Sequence, residues 1–87
     1  MEITEEIMHI GENIITYFER LYVISEYETT FYEMGKNEHI LEIIFNCSFT
    51  ASYNVENRKL IRIDYNDKRE DMTLSFHRYF KIKKILK

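Results

Sequence analysis

Residues 41–53 read Leu-Glu-Ile-Ile-Phe-Asn-Cys-Ser-Phe-Thr-Ala-Ser-Tyr. Leu41, Ile43, Phe45, Cys47, Phe49, Ala51 and Tyr53 fall on one side of an extended chain. Glu42, Ile44, Asn46, Ser48, Thr50 and Ser52 fall on the other. Alternation with a period of two belongs to a β-strand with one face in a core. The stretch predicts a single long strand and commits the chain to a sheet.

Upstream the period changes. Ile3, Ile7, Ile10, Ile14, Tyr17, Leu21 and Ile24 recur at steps of three and four, which gathers them on one stripe of an α-helix. Opposite that stripe Glu5, Glu12, Glu19 and Glu26 repeat every seven residues. In heptad terms the seam fills a and d, and each of these glutamates takes f. Thr4 is placed to cap the helix, with Glu5 and Glu6 in the first turn where acids favour the dipole. The helix is expected to run from about Glu5 to about Tyr22, with Met8, Ile15 and Tyr22 as a second apolar row. Gly11 costs a helix about 1 kcal/mol relative to alanine, so it is expected to mark the close approach of another backbone.

Residues 22–34 fit both periods, and their β-branched and aromatic content favours a strand. Gly35-Lys36-Asn37-Glu38 reads as a hairpin loop and Asn54–Arg58 as a turn. Leu60–Tyr65 forms the next strand, with Ile61, Ile63 and Tyr65 inward and Arg62 and Asp64 outward. Residues 66–71 read as a polar loop. In the last segment Met72, Leu74, Phe76, Phe80 and Ile82 alternate with Thr73, Ser75, His77, Tyr79, Lys81 and Lys83, which predicts a final strand. Arg78 breaks its apolar set and suggests a bulge or sheet edge there.

The expected fold is α+β, a single domain over residues 1–87. An N-terminal amphipathic helix packs on an antiparallel meander of three to four strands. A strand from Leu41 to Tyr53 would span about 44 Å, whereas the helix covers about 27 Å. That mismatch predicts a bent strand or a second copy, and a homodimer is the expected solution.

Composition narrows the function. Ile, Lys, Asn, Tyr and Phe dominate while Gly occurs twice and Pro is absent, the pattern of a low-GC genome such as those of many bacteria, their phages and plasmids. The acidic start, the absence of a long apolar run and the single cysteine point to a cytoplasmic protein with no membrane span. Net charge is −3, but it is split between the halves. Residues 1–42 hold ten acids and two bases, and residues 43–87 hold five acids and ten bases. Such a two-ended molecule is steered towards charged partners.

Signals for chemistry are weak. His9 lies within one helical turn of Glu5 and Glu12, and His39 lies near Glu38 and Glu42, but both sets read as solvated surface rather than metal ligands. Ser75, His77 and Asp64 lack the glycine-flanked elbow that would build an oxyanion hole. Cys47 is expected to be a buried structural thiol. Asn46-Cys47-Ser48 matches a glycosylation sequon but sits mid-strand. No phosphate-binding glycine loop is present, and neither catalysis nor a cofactor or metal is expected.

Two binding signals remain. Glu5, Glu12 and Glu19 would stand about 10.5 Å apart along a helix axis, with Glu26 nearby as the fourth member of the ridge, a sparse imitation of a phosphate track. They predict a module that occupies a host protein, one with a basic nucleic-acid groove being the first candidate. The expectation is an inhibitor encoded by a phage or mobile element. The alternative is direct nucleic-acid binding by the basic and aromatic residues His77, Arg78, Tyr79, Lys81, Lys83 and Lys84 on an open sheet face.

Overall fold

The computed structural model describes residues 4–46 and 48–85, with side chains as far as Phe80. Helix α1 (Glu5–Glu19) is followed by β1 (Tyr27–Met34), β2 (Glu38–Phe45), β3 (Phe49–Asn54), β4 (Lys59–Asp64), β5 (Arg69–Asp71) and helix α2 (Thr73–Ile85). The five strands form one antiparallel meander in the order β1-β2-β3-β4-β5. The class is α+β as expected, with five strands rather than three to four and a second helix.

Helix α1 starts where the sequence places it. Thr4 is extended, and its hydroxyl accepts the N–H of Ile7 at 3.3 Å. The helix ends at Glu19, short of Tyr22, where the N–H groups of Leu21 and Tyr22 both turn back to the carbonyl of Phe18. Glu26 therefore lies in the connection to β1, and the ridge of four glutamates has three helical members. The buried face is Ile7, Gly11, Ile14, Tyr17 and Phe18. A Cβ on Gly11 would meet Leu41 Cδ2 at 3.6 Å, an ordinary van der Waals contact with a side chain. The glycine faces a leucine methyl and no neighbouring backbone.

The core joins these residues to Leu41, Ile43 and Phe45 of β2, Phe49, Ala51 and Tyr53 of β3, Leu60 of β4 and Phe76 of α2. Within it Phe49 has its ring centroid 4.9 Å from those of both Phe18 and Phe45. Fully burying one such side chain stabilises a fold by about 1.5–3 kcal/mol.

The long strand is two strands. The chain reverses between Phe45 and Phe49 and returns as β3, with Phe45 paired to Phe49, Ile43 to Ala51 and Leu41 to Tyr53. The loop has an odd length, so the same parity faces the core on both sides and the alternation passes through the turn unchanged. Asn46 takes the left-handed conformation at φ 34°, which asparagine tolerates better than most residues. With the reversal, the length mismatch that argued for a second copy disappears. Cys47 lies outside the described residues.

Three further expectations are corrected. In β4 the inward set is Leu60 and Arg62, because Leu60 pairs with the buried Tyr53 and Arg62 with the buried Ala51. Ile61 and Ile63 face outward opposite Ser52 and Thr50, and Tyr65 is exposed beyond the strand. Arg62 is tolerated inside because its guanidinium lies over the Phe49 ring at 4.8 Å. Next, the polar loop at 66–71 contains β5, paired to β4. Finally, the last segment is helix α2. Met72, Phe76 and Phe80 are four residues apart and satisfy both periods; Tyr79 packs with them and fits only the helix. Leu74, which belongs to the strand pattern alone, is 71% exposed, and Arg78 sits on an exposed position with no bulge needed. Asp71 accepts the N–H of Thr73 at 2.9 Å at the helix start, and Thr73 Oγ1 accepts the N–H of Leu60 at 3.0 Å.

Both helices lie on the core face of the sheet. The other face carries Thr30, Tyr32, Ile40, Glu42, Ile44, Thr50, Ser52, Ile61 and Ile63 with no helix over it.

Candidate functional site

Residues on α1 that point away from the sheet are set by the heptad. Glu5, Glu12 and Glu19 are all exposed, as are Glu6, Met8 and His9 beside them. Glu5, Glu6, Met8, His9 and Glu12 border one shallow depression on this face. Among the described residues these glutamates have no ion-pair or hydrogen-bonding partner; the ion pair that does form, His39 with Glu56 at 2.6 Å, is elsewhere. Arg20, next to Glu19, is exposed but folds back along the helix. Its Nε donates to the carbonyl of Tyr17 at 3.0 Å, and its guanidinium lies 4.3 Å from the Tyr17 centroid and 4.7 Å from that of Tyr79. The ridge charge is thus not cancelled by that neighbour. Glu26 stands apart: its N–H donates to Asn46 Oδ1 at 2.7 Å, and its carbonyl accepts the Asn46 N–H at 3.0 Å.

The basic and aromatic set is dispersed by the helix. His77 Nε2 donates to the carbonyl of Arg58 at 3.0 Å. Tyr79 is half-buried, its ring edge-on to Tyr17 and Phe80. Arg78 is exposed, and the side chains of Lys81, Lys83 and Lys84 lie outside the described residues. A flat platform on which bases could stack requires alternate residues of a strand, and α2 does not supply one.

The hydrolytic relay also fails to assemble. Ser75 shares a hydrogen bond with the Tyr17 hydroxyl, His77 is engaged by Arg58, and Asp64 Oδ1 accepts the N–H groups of Asn66 and Lys68 at 2.8 and 3.0 Å. No cluster of three metal-ligating side chains occurs among the described residues.

Two arrangements escaped the sequence. Glu56, in the β3–β4 turn, accepts both the N–H and the ring nitrogen of His39 at 2.6 Å. The backbone hydrogen bond from His39, followed by its ring, holds the Glu56 carboxyl below the usual range. A cleft of about 370 Å³ also opens between α1, α2 and the β3–β4 turn. Its polar rim includes Glu6, His9, Asn13, Arg58 and His77, over a floor of Tyr53, Phe76 and Phe80. Burial raises the Tyr53 phenol, with nearby Arg58 acting in the opposite sense. The signal on α1 was the spacing of residues 6, 9 and 13 along one stripe; nothing local tied that stripe to residues 53 and 58.

No family model matches the chain, and no curated protein or solved structure does either. Among the described residues, no helix is long and apolar enough to cross a membrane.

Proposed function

We propose that the protein is a non-enzymatic protein-binding module that uses the outer face of α1. It acts as an inhibitor encoded by a phage or mobile element, and it occludes a basic groove on a cytoplasmic host protein that handles nucleic acid. The observation that supports this reading is the row Glu5, Glu12 and Glu19, exposed and without ion-pair partners among the described residues. A basic groove supplies the complementary potential, which favours encounter and fixes orientation. Exposed charges are screened over about 8 Å at physiological ionic strength, so the affinity should fall as salt rises.

The test is a tagged pull-down from a low-GC bacterial lysate, with and without nuclease, repeated with the triple variant Glu5→Lys, Glu12→Lys and Glu19→Lys. Capture of a discrete protein that survives nuclease and is lost in the triple variant is the expected result. Equal capture by the triple variant sinks the ridge as the binding surface. Capture that vanishes with nuclease moves the function to direct nucleic-acid binding through the basic residues of α2.

A further inference from the structure

The two edges of the sheet are unlike. β5 is three residues long, Arg69–Asp71, all charged, and runs directly into α2. β1 is eight residues long, in unbroken register with β2, and exposed along nearly its whole length. Of the usual devices that stop a sheet edge from pairing further, it has no lysine, proline or bulge and carries two charges, Glu28 and Glu33. It also displays large apolar side chains, with Tyr27 52% and Met34 51% exposed.

The free hydrogen-bonding groups of β1 can be assigned. Asn46 donates its N–H to the carbonyl of Glu26, and Val55 donates to His39. In an antiparallel ladder such bonded pairs recur at every second residue. Continuing these registers, even-numbered residues of β1 direct their backbone groups at β2. Tyr27, Thr29, Phe31 and Glu33 direct theirs outward from the sheet.

We infer that β1 pairs antiparallel with β1 of a second copy of this chain, about a two-fold axis through Thr30, and so joins two meanders into one continuous sheet. In this register Thr29 faces Phe31 of the second copy and Tyr27 faces Glu33. All four are outward-directed residues, so the ladder closes with about eight N–H···O bonds. Each carboxylate lies opposite a phenol: Glu28 meets Tyr32 and Glu33 meets Tyr27, and no two acids face each other. A slip of one residue would set Glu28 against Glu33, misdirect the backbone donors and turn the two sheets to opposite faces. Slips of two residues keep the donors aligned but shorten the ladder by about two bonds and separate both carboxylate–phenol pairs, so the sequence of β1 favours the register centred on Thr30. The inference uses none of the ridge residues and stands or falls separately from the proposed function.

The experiment combines solution mass with cross-linking, in a Cys47→Ser background. Light scattering should give twice the 10.7 kDa chain mass at micromolar concentration. Thr30→Cys should form an inter-copy disulfide on mild oxidation, because facing residues of a non-bonded antiparallel pair have Cα atoms about 4.5 Å apart, within disulfide reach. Thr29→Pro removes an outward N–H and should give a folded monomer, with native circular dichroism. A wild-type chain that stays monomeric at about 100 µM, within the range in which unpaired strand edges associate, would overturn the pairing. So would Thr30→Cys cross-linking no faster than an exposed control, Asn57→Cys, or slower than Phe31→Cys, which would place the axis elsewhere.

Discussion

Segments 41–53 and 72–83 carry nearly the same alternation, yet the first folds into a strand hairpin and the second into a helix. The difference lies in which residues each period claims alone. In 41–53, Leu41, Ile43, Phe45, Phe49, Ala51 and Tyr53 are all buried, and steps of two account for every one except across the turn. In 72–83 the packed residues Met72, Phe76 and Phe80 are four apart, and four is a multiple of two as well as about one helical turn. The decision falls to Leu74 and Tyr79. The solvent-facing leucine and the packed tyrosine match only the helix. Alternation is therefore informative where it is dense, and ambiguous where its members are four apart.

The contrast can be broken by substitution, and the hairpin should give the largest effect. Phe45→Ala removes a ring that is 1% exposed and packed on Phe49 and Phe18. It should cost about 3–5 kcal/mol in a denaturant melt; a loss below 1 kcal/mol would mean that the hairpin is not the centre of the core.

At the start of α2, Asp71→Ala should lower the denaturant midpoint, because it removes the side-chain acceptor of the Thr73 N–H. Hydrogen bonds from Thr73, side chain first and then backbone, hold the Asp71 carboxyl below its ordinary value. A carboxyl depressed in the folded state stabilises it above the unfolded pKa, and that contribution fades as pH falls through the folded one. The gap between wild type and Asp71→Asn, followed by denaturant midpoint, should hence be full at neutral pH and shrink below about pH 4. A gap that widens on acidification contradicts the capping role.

The smallest effect is the sharpest discriminator. Leu74→Lys should change stability by less than about 0.5 kcal/mol, as for other surface substitutions. A strand in this segment would bury Leu74 and predict a loss of about 2–5 kcal/mol instead.

Much of the architecture was legible because local signals agreed. The Thr4 cap, the stripe Ile7, Ile14 and Tyr17, the β1 segment, and the turns at residues 35–37 and 55–58 all stand where propensity and period put them. The hidden features were those in which two rules gave one pattern. A three-residue loop preserves parity, so only Asn46 announced the turn. The β4 facing was inverted because Arg62 sits inside against the Phe49 ring, where composition alone would put Ile61 and Ile63. At the candidate site, the exposure of Glu5, Glu12 and Glu19 followed from the heptad. Glu26 keeps the seven-residue spacing but lies beyond even the expected helix end at Tyr22, in the connection to β1. The Glu56–His39 pair joins residues 17 positions apart and the cleft beside Arg58 joins residues as distant as Glu6 and Phe80, for which a single sequence carries no local trace.

The Tyr17–Ser75 hydrogen bond has a consequence for how the molecule is held together. Each strand finds its partner across a short turn, but this bond closes a separation of 58 residues. Bringing such distant points together costs about 2 kcal/mol more chain entropy than closing a hairpin loop. The contact between the two helices therefore carries a larger closure cost than any strand pairing in the sheet. The sheet is assembled from neighbours in sequence, whereas the two helices that cover its core face are held to one another across most of the chain.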